Sequence, residues 1–286
     1  MTALNTDYNS VPITDAHVHF WDITRFAYPW LAEVPEINRT FGLNEYRQAT
    51  SSIPIEKMIF VQCECSPHQY VEEVGFISQL AERDGRICGI VAYGPLEKAN
   101  AEAKLQAILA NPLVKGIRRL QEDPIRLYEN PIFVDNMNLL RTHNLSFDLC
   151  VKAHQLQAAV RLVEQQPDNR YILDHFGKPN IKGDGFENWK LQIRRLASYP
   201  NVYCKLSGLV TEADWQRWTF DDLRPYVETV FKCFGTDRVV FGGDWPVVTL
   251  AASYSRWFNT AWQLCNKLSP DEQYRVFYQN ALDFYR

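Results

Sequence analysis

The stretch Ile13-Thr14-Asp15-Ala16-His17-Val18-His19-Phe20-Trp21-Asp22 carries the pattern around which this 286-residue chain is organised. It is typical of a first β-strand that ends in two histidines two residues apart. Side chains alternate along a strand, so His17 and His19 point the same way. Two converging imidazoles can bind a metal ion or polarise a substrate oxygen, and they can equally be core residues. The rest of the chain has to supply partners if this pair belongs to a site.

Composition and charge exclude several classes of protein. The 30 basic and 34 acidic residues leave a formal net charge of -4, which is no footprint for nucleic acid or an anionic membrane. No apolar run reaches the roughly 18 residues of a membrane span. The polar N-terminus lacks a secretory signal pattern. Most of the seven cysteines lie in apolar strand-like runs, which indicates reduced, buried thiols and a cytoplasmic protein.

An apolar strand followed by an amphipathic helix repeats along the chain. The predicted strands cover about 12–19, 57–65, 87–93, 114–120, 146–152, 170–175, 202–208 and 238–244. Eight strands that alternate with helices predict an α/β fold, a (β/α)8 TIM barrel, as a single domain over residues 1–286. The competing doubly wound sheet lacks its Gly-rich dinucleotide loop here. An aromatic, proline-containing loop at about 20–41 is long for a βα connection, and it is expected to be either a lid packed on its own side chains or a wall of the substrate site.

Polar side chains recur where the predicted strands end. His17 and His19 follow strand one, His154 follows strand five, His175 follows strand six and Asp244 follows strand eight. A (β/α)8 barrel carries its chemistry at the carboxyl ends of its strands. Any one of these histidines is well explained as a core residue, but four at equivalent positions together with a carboxylate indicate a shared site.

At this point the chain resembles the amidohydrolase superfamily, in the branch that contains L-fuconolactonase, L-rhamnonolactonase and pyrone-dicarboxylate lactonase. The resemblance extends from strand one to strand eight. It is carried by the segments Asp15-Ala16-His17-Val18-His19-Phe20-Trp21-Asp22, Tyr28-Pro29-Trp30-Leu31, Gly116-Ile117-Arg118, Asp174-His175-Phe176-Gly177-Lys178-Pro179, Lys205-Leu206-Ser207-Gly208-Leu209 and Asp244-Trp245-Pro246-Val247. The resemblance implies a lactonase and leaves its substrate open.

The chain departs from the binuclear members of that superfamily, which carry a bridging lysine or glutamate after strand four. Here strand four offers Arg118 and Arg119, and a permanently cationic guanidinium is a poor metal ligand. Two metal ions are therefore not expected. The resemblance leaves two possibilities, a metal-free site or one divalent ion, with zinc as the first choice. The ligands of that ion would be His17, His19, His154 and Asp244.

Lactone hydrolysis needs an activated water, stabilisation of the carbonyl oxygen and a proton for the leaving alkoxide. Asp244 is the expected base that activates the water. His17, His19 and His175 are the expected donors to the developing oxyanion, unless His17 and His19 hold a metal that does this instead.

Seven residues are candidates for substrate binding. Arg118 is expected to point to the barrel mouth, with Arg119 pointing away, because neighbours on a strand alternate. The aromatic candidates offer flat apolar faces to a sugar ring, although packing explains them equally well, and Glu64 and Lys205 fit a structural network as well as a substrate contact. The full set is Arg118, His154, Glu64, Lys205, Trp21, Trp30 and Trp245.

The leading hypothesis is hydrolysis of a sugar-derived aldonolactone such as L-fuconolactone or L-rhamnonolactone, so the expected partner is a small molecule. A pyrone dicarboxylate would need several cationic anchors, for which Arg118, Lys178 and Lys205 are candidates. Two competing hypotheses are metal-dependent decarboxylation, which related branches of the superfamily perform, and non-catalytic binding of a sugar or a metal. Nothing in the sequence indicates the oligomeric state.

Overall fold

A computed structural model of the protein describes residues 11–121 and 126–286. Eight parallel strands pair in chain order, each with the next, in one sheet. The strands are β1 (Ile13–Val18), β2 (Ile55–Val61), β3 (Ile87–Tyr93), β4 (Val114–Leu120), β5 (Ser146–Cys150), β6 (Arg170–Leu173), β7 (Val202–Leu206) and β8 (Val239–Phe241). The expectation of a single-domain (β/α)8 barrel is confirmed.

The barrel closes between its first and last strands. The Asp244 N–H donates to the His17 carbonyl at 2.7 Å, and the His19 N–H donates to the Trp245 carbonyl at 2.8 Å. A parallel bridge joins Val18 to Trp245 between these two bonds. The two segments that carry the predicted histidine pair and the predicted carboxylate are therefore held side by side by backbone hydrogen bonds.

Helices surround the barrel and bury the outer face of the sheet. Their bounds are α1 (Leu43–Ala49), α2 (Tyr70–Arg83), α3 (Ala101–Leu109), α4 (Pro131–Thr142), α5 (Leu156–Gln165), α6 (Phe186–Ala197), α7 (Leu209–Glu212), α8 (Phe220–Phe234), α9 (Tyr254–Leu264), α10 (Pro270–Tyr274) and α11 (Asn280–Phe284). A π-helical segment at Arg275–Gln279 joins α10 to α11. Within the described ranges, no helix combines the length and apolarity of a membrane span.

The interior of the barrel is filled by small and β-branched side chains, among them Ala16, Val61 and Val240. At the end opposite the predicted site, Phe284 and Tyr285 of the C-terminal segment pack into the same cluster. The barrel is therefore a packed core with one accessible end, the end at which the strands finish.

The segment over 20–41 crosses that accessible end as a closed loop. The Trp21 N–H donates to the Phe41 carbonyl at 3.0 Å, and the Phe41 N–H donates back to Trp21 at 2.9 Å. Between these residues the chain forms two short 3-10 turns, Pro29–Glu33 and Pro35–Ile37. The ends of the loop are thus tied together, which is typical of a compact Ω-loop.

Six of the eight strands end earlier than the sequence predicts. β2 stops at Val61 rather than 65 and β8 at Phe241 rather than 244, while β5, β6 and β7 each end two residues early and β1 ends one residue early. Beyond two of these ends, Glu64 and Asp244 have φ values of 53° and 54°, which extended backbone does not allow. The apolar pattern continues past the strand because these turns are buried too, so hydrophobicity alone overestimates strand length.

Candidate active site

A cavity of about 400 Å³ opens where the strands end. One side is aromatic and comes from the loop over 20–41, and the other is polar and comes from turns that follow the strands. The lining residues are His19, Trp21, Trp30, Val34, Cys63, Glu64, Arg118, Leu120, Cys150, His175, Lys178, Thr211, Glu212, Trp215, Asp244, Val247 and Leu250.

Three imidazoles surround one carboxylate oxygen at the base of the cavity. Asp244 Oδ1 lies 3.6 Å from His19 Nε2, 3.7 Å from His17 Nε2 and 3.8 Å from His175 Nε2. All four side chains are almost fully buried. Side chains from β1, β6 and β8 therefore meet at one point, as expected for residues at the carboxyl ends of barrel strands.

Four polar residues that line the cavity have left-handed backbone conformations. His175 has a φ of 51° and Lys178 a φ of 46°, and Glu64 and Asp244 adopt similar values. Non-glycine residues in this region cost roughly 1–3 kcal/mol each and persist where the surrounding structure imposes them. The backbone after the strands is thus strained where it presents polar groups to the cavity.

A buried carboxylate holds the two halves of the site together. Asp15 accepts hydrogen bonds from the N–H of Gly243 at 2.7 Å and from the N–H of His17 at 3.1 Å. Its other oxygen accepts from the hydroxyls of Tyr46 and Tyr254 at 2.8 and 2.9 Å. Asp15 therefore fixes the backbone that carries both His17 and Asp244.

The outer nitrogens of the imidazoles set the orientation of the rings. His19 Nδ1 donates to the Val61 carbonyl at 2.7 Å, so a neutral His19 turns an unprotonated Nε2 to Asp244. His175 Nδ1 shares a hydrogen bond of 2.8 Å with Ser207 Oγ. A histidine held by its far nitrogen, with the other nitrogen facing a carboxylate, is the arrangement found around bound metal ions. The ligand atoms of His17, His175 and Asp244 lie within 4.8 Å of one another, which suits a single ion.

Burial controls the protonation of these groups. It lowers the pKa of His175 to about 4, and it also lowers the pKa values of His17 and His19. Burial acts to raise the pKa of Asp244, but the neighbouring His175 and His19 outweigh it, and the pKa stays below its usual range. At neutral pH the cavity therefore contains neutral imidazoles around an anionic carboxylate.

A second group of charges lies beneath the cavity, and all its members are fully buried. The Lys205 ammonium contacts Asp148, lies 2.9 Å from Asp174 Oδ1 and donates to His17 Nδ1 at 3.1 Å. Tyr285 donates to Asp148 Oδ2 at 2.8 Å. Burial lowers the pKa of Lys205, but the two carboxylates more than offset this effect, so the ammonium stays charged.

Arg118 connects this charged group to the cavity. Its Nη1 lies 3.4 Å from both Asp174 Oδ2 and His17 Nε2, and its Nη2 donates to the Gln62 carbonyl. Its buried Nε has no hydrogen-bond partner among the described residues. Arg119 points to the other side of β4 and pairs with Glu97 at 3.2 Å. The predicted opposite directions of the two arginines are observed.

The structure brings most of the predicted residues together. His17, His19, His175 and Asp244 meet, and Arg118, Glu64, Trp21 and Trp30 line the same cavity. Both tryptophans use their N–H on backbone carbonyls, Trp21 on Arg39 at 2.7 Å and Trp30 on Cys63 at 2.8 Å. Only their ring faces and edges remain for a ligand.

Three predicted residues lie elsewhere, and the first of them is His154. It is exposed and lines a different cavity with Asn180 and Phe186. The turn Ala153–Gln155 begins directly after β5 and rotates His154 away from the barrel axis. The structure therefore separates His154 from Asp244, and this placement does not support the predicted role of His154 as a ligand of the metal or the substrate.

Lys205 and Trp245 belong to the scaffold, which corrects their predicted contact with substrate. Lys205 is 0% exposed and has the two buried carboxylates and His17 as its partners, so it is out of reach of a ligand in the cavity. Trp245 is 2% exposed and packs edge-on against Phe41 and Tyr46 on the far side of the backbone from Asp244. Asp244 is among the residues that line the cavity, and Trp245 is not.

Lys178, a sequence candidate for anchoring an anionic substrate, does line the cavity. Sequence reasoning missed three polar or aromatic residues of the cavity wall: Thr211, Glu212 and Trp215. These three lie on or just after the one-turn helix α7, which has no periodic pattern. Only the tertiary structure reveals that segment as part of the site.

Comparisons with known proteins agree with this geometry. The sequence profile of the amidohydrolase family matches residues 14–286. An L-fucono-1,5-lactonase of Burkholderia ambifaria is 32% identical over 281 residues, which are 95% of this chain and 94% of the relative. An L-rhamnono-gamma-lactonase of Scheffersomyces stipitis is 23% identical over 96% of this chain and 98% of its own.

A solved structure shows the same architecture. It is an amidohydrolase of Burkholderia multivorans with bound zinc, with a TM-score of 0.87 and 27% identity over 96% of this chain and 98% of its own. The profile match covers nearly the whole chain, and the lactonase relative is matched almost from end to end. The chain therefore belongs to the amidohydrolase family.

Proposed function

We propose that the protein is a lactonase that hydrolyses a sugar-derived aldonolactone of the L-fuconolactone or L-rhamnonolactone type. The observation that carries this proposal is the Asp244 carboxylate, buried and anionic, with three neutral imidazole nitrogens 3.6–3.8 Å from one of its oxygens. The names of the two lactonase relatives support the same class of substrate.

Asp244 supplies the base for the reaction. It takes a proton from a water, whose oxygen attacks the lactone carbonyl carbon and gives a tetrahedral oxyanion. When this species collapses, the bond from the carbonyl carbon to the ring oxygen breaks. The proton held by Asp244 passes to the leaving ring oxygen, and the product is a hydroxy acid. One carboxylate thus serves as base and then as acid, and it ends the cycle as an anion.

The oxyanion forms beside Arg118 and the His17 ring, because His19 turns an unprotonated nitrogen to this point and cannot donate. The Arg118 guanidinium lies 3.4 Å from His17 Nε2 and brings positive charge to this point. Donors held in a dry, preorganised site stabilise an oxyanion more strongly than water does. Because Lys205 donates to Nδ1 of His17, that ring can carry its proton on Nε2, facing the reacting group.

The donor set also fits one divalent cation. His17, His175 and Asp244 would hold it, with nitrogen and oxygen ligands of the kind that zinc prefers. His19 Nε2 lies beside them, 3.6 Å from Asp244 Oδ1. When bound, such an ion would polarise the lactone carbonyl and lower the pKa of water. Asp244 would still lie beside the attacked carbonyl, and Arg118 would still supply positive charge. The Burkholderia multivorans amidohydrolase was solved with bound zinc, which supports the proposal of a divalent ion here.

The aromatic side of the cavity suits a sugar ring. Trp21 and Trp30 stand edge to face with centroids 5.5 Å apart, and their N–H groups are already bonded. Such surfaces take up the C–H face of a ring without competing for its hydroxyls. A cavity of about 400 Å³ is also large enough for a monosaccharide lactone.

The experiment is a screen of the purified protein against L- and D-aldonolactones by proton release, together with Asp244→Asn. We expect turnover of at least one lactone, and a fall in kcat of about 100- to 10,000-fold in the variant, the contribution typical of a positioned base. Asp221→Asn is the matched control, because this exposed aspartate on α8 lies far from the cavity. Full activity of Asp244→Asn would exclude the proposed base, and no turnover of any lactone by the unmodified protein would exclude the function.

A further inference from the structure

Two loops form one wall of the cavity. The first follows β6 and contains the left-handed turn His175–Lys178, and the second follows β7 and contains Gly208 and α7. Each loop contributes one charged side chain to the wall, Lys178 from the first and Glu212 from the second. Neither side chain has a role in the hydrolysis described above.

The two loops touch at both ends of this wall. Gly208 has a φ of 62°, and a Cβ at this position would lie 2.4 Å from His175 Nδ1, so a glycine is required for the loops to approach. At the rim, the Lys182 ammonium lies 5.6 Å from the centroid of the Trp215 ring. These contacts hold Lys178 and Glu212 in a defined relation to Asp244.

Both charged groups face the cavity without a close ionic partner. Among residues 11–121 and 126–286, no oppositely charged group lies within 4.0 Å of Lys178 or Glu212, although the two are near enough for each to shift the other's pKa. Both are half-buried. Burial raises the pKa of Glu212, and the nearby Lys178 opposes that rise. A half-buried charge without a protein partner gains from a ligand that replaces its lost water.

We propose that Lys178 and Glu212 together recognise neighbouring hydroxyl groups on the ring of the substrate and so determine its class. This inference rests on the proposed function and specifies it further. An ammonium only donates hydrogen bonds and a carboxylate only accepts them, whereas a hydroxyl does both. A vicinal diol therefore satisfies the pair, with one hydroxyl accepting from Lys178 and the other donating to Glu212.

The same pair disfavours an anionic substrate. A carboxylate attached to the lactone ring could bind Lys178, but it would meet Glu212 in the same wall, and like charges in a half-buried site repel strongly. Glu64 adds a second carboxylate to the lining. The cavity thus selects a neutral, hydroxylated lactone over a dicarboxylate.

The kinetic test uses the best lactone of the screen and a series in which each member lacks one ring hydroxyl. Glu212→Gln and Lys178→Met should each lower kcat/KM on the parent lactone by about 10- to 100-fold, the effect of losing one hydrogen bond to a charged group. For each variant, this fall in kcat/KM should disappear with the one deoxy lactone that lacks the hydroxyl bound by the replaced residue. The matched controls are Glu187→Gln on α6 and Lys232→Met on α8, both at exposed positions, which should leave every rate unchanged.

A binding test separates this inference from the chemistry. The probes are a neutral 1,5-anhydroalditol with the hydroxyls of the best lactone and an aromatic dicarboxylate, both measured by calorimetry. The anhydroalditol should bind the unmodified protein at least tenfold more tightly than it binds Glu212→Gln. The dicarboxylate should bind Glu212→Gln more tightly than the unmodified protein, a reversal that a general loss of structure would not produce.

The outcomes distinguish the two proposals. If no lactone is turned over but the anhydroalditol binds as described, the hydrolytic function fails and the recognition pair stands. If lactones are turned over but every deoxy lactone loses rate equally in the variants, the two residues are structural and the inference is overturned. It is overturned equally if neither substitution changes kcat/KM or if the dicarboxylate does not distinguish Glu212→Gln.

Discussion

Replacement of Lys205 by methionine provides the strongest test of how the charges below the cavity are organised. Lys205, Asp148 and Asp174 are all 0% exposed, and the ammonium is shared between the two carboxylates. Methionine has a similar volume but removes the charge, so Asp148 and Asp174 would lie unpaired in a dry interior. Breaking a buried ion pair by removing one partner typically costs about 3–5 kcal/mol.

The structure shows which of the two carboxylates would account for most of the lost stability in Lys205→Met. Asp174 retains the Arg118 guanidinium at 3.4 Å, whereas Asp148 retains only the Tyr285 hydroxyl at 2.8 Å. The double variant Lys205→Met/Asp148→Asn removes the less well compensated carboxylate charge. We expect it to recover at least about 1–3 kcal/mol of the loss, an interaction energy typical of residues in one network.

The assay is urea unfolding followed by tryptophan fluorescence and by circular dichroism, with thermal unfolding alongside. A loss of about 3–5 kcal/mol corresponds to a fall in Tm on the order of 10 °C. Lys232→Met, at an exposed site on α8, is the matched control and should change neither midpoint. If Lys205→Met unfolds like the unmodified protein and raises only KM, Lys205 is a substrate contact after all and the assignment to the scaffold is refuted.

Three other substitutions test the site and its surroundings. His154→Ala should leave kcat/KM and zinc content unchanged, because His154 lines a separate cavity. A tenfold fall in either quantity would show that His154 belongs to the active site. Asp84→Asn should lower the free energy of unfolding by about 1–2 kcal/mol at pH 7, because hydrogen bonds from Arg86 and Arg47 hold the pKa of Asp84 at about 2. The magnitude is modest because solvent partly screens the half-exposed Arg47. This stabilisation is complete above the usual aspartate pKa of about 4 and is lost as the pH falls towards 2. The urea midpoints of the unmodified protein and of Asp84→Asn should therefore converge over that pH range. Midpoints that stay apart would show that the ion pairs of Asp84 are absent. Protein stripped by a chelator should regain one equivalent of zinc when zinc is added, whereas His175→Asn should not; equal zinc uptake by both proteins would remove His175 from the ligand set.

The organisation of the barrel was predictable because its signals are local. Apolar runs of five to seven residues separated by amphipathic helices specify the strands β1 to β8 and their order. Once the barrel is inferred, its topology requires His17, His175 and Asp244 to converge, because the carboxyl ends of all the strands lie at one end. The position of each residue relative to a strand end therefore predicts whether its side chain lies in the site.

The same rule fails where the chain turns immediately after a strand. His154 follows β5 as His175 follows β6, but the Gln155 side chain accepts from the Lys152 N–H at 2.9 Å and starts a short helical turn. That turn directs His154 outward, whereas the left-handed turn at His175 directs its side chain inward. Such turns depend on contacts with neighbouring loops, and periodicity does not report them.

By itself, then, the sequence determined the (β/α)8 barrel and the cluster of His17, His19, His175 and Asp244, because alternation along a strand and the position of its end are properties of consecutive residues. Only the tertiary structure decided that the Lys205 ammonium pairs, below the cavity, with carboxylates from β5 and from the end of β6. Only the tertiary structure decided that Lys178 and Glu212 face the same cavity. The environment of a charge is set by residues distant along the chain, and that environment determines whether the charge stabilises the fold or contacts a substrate.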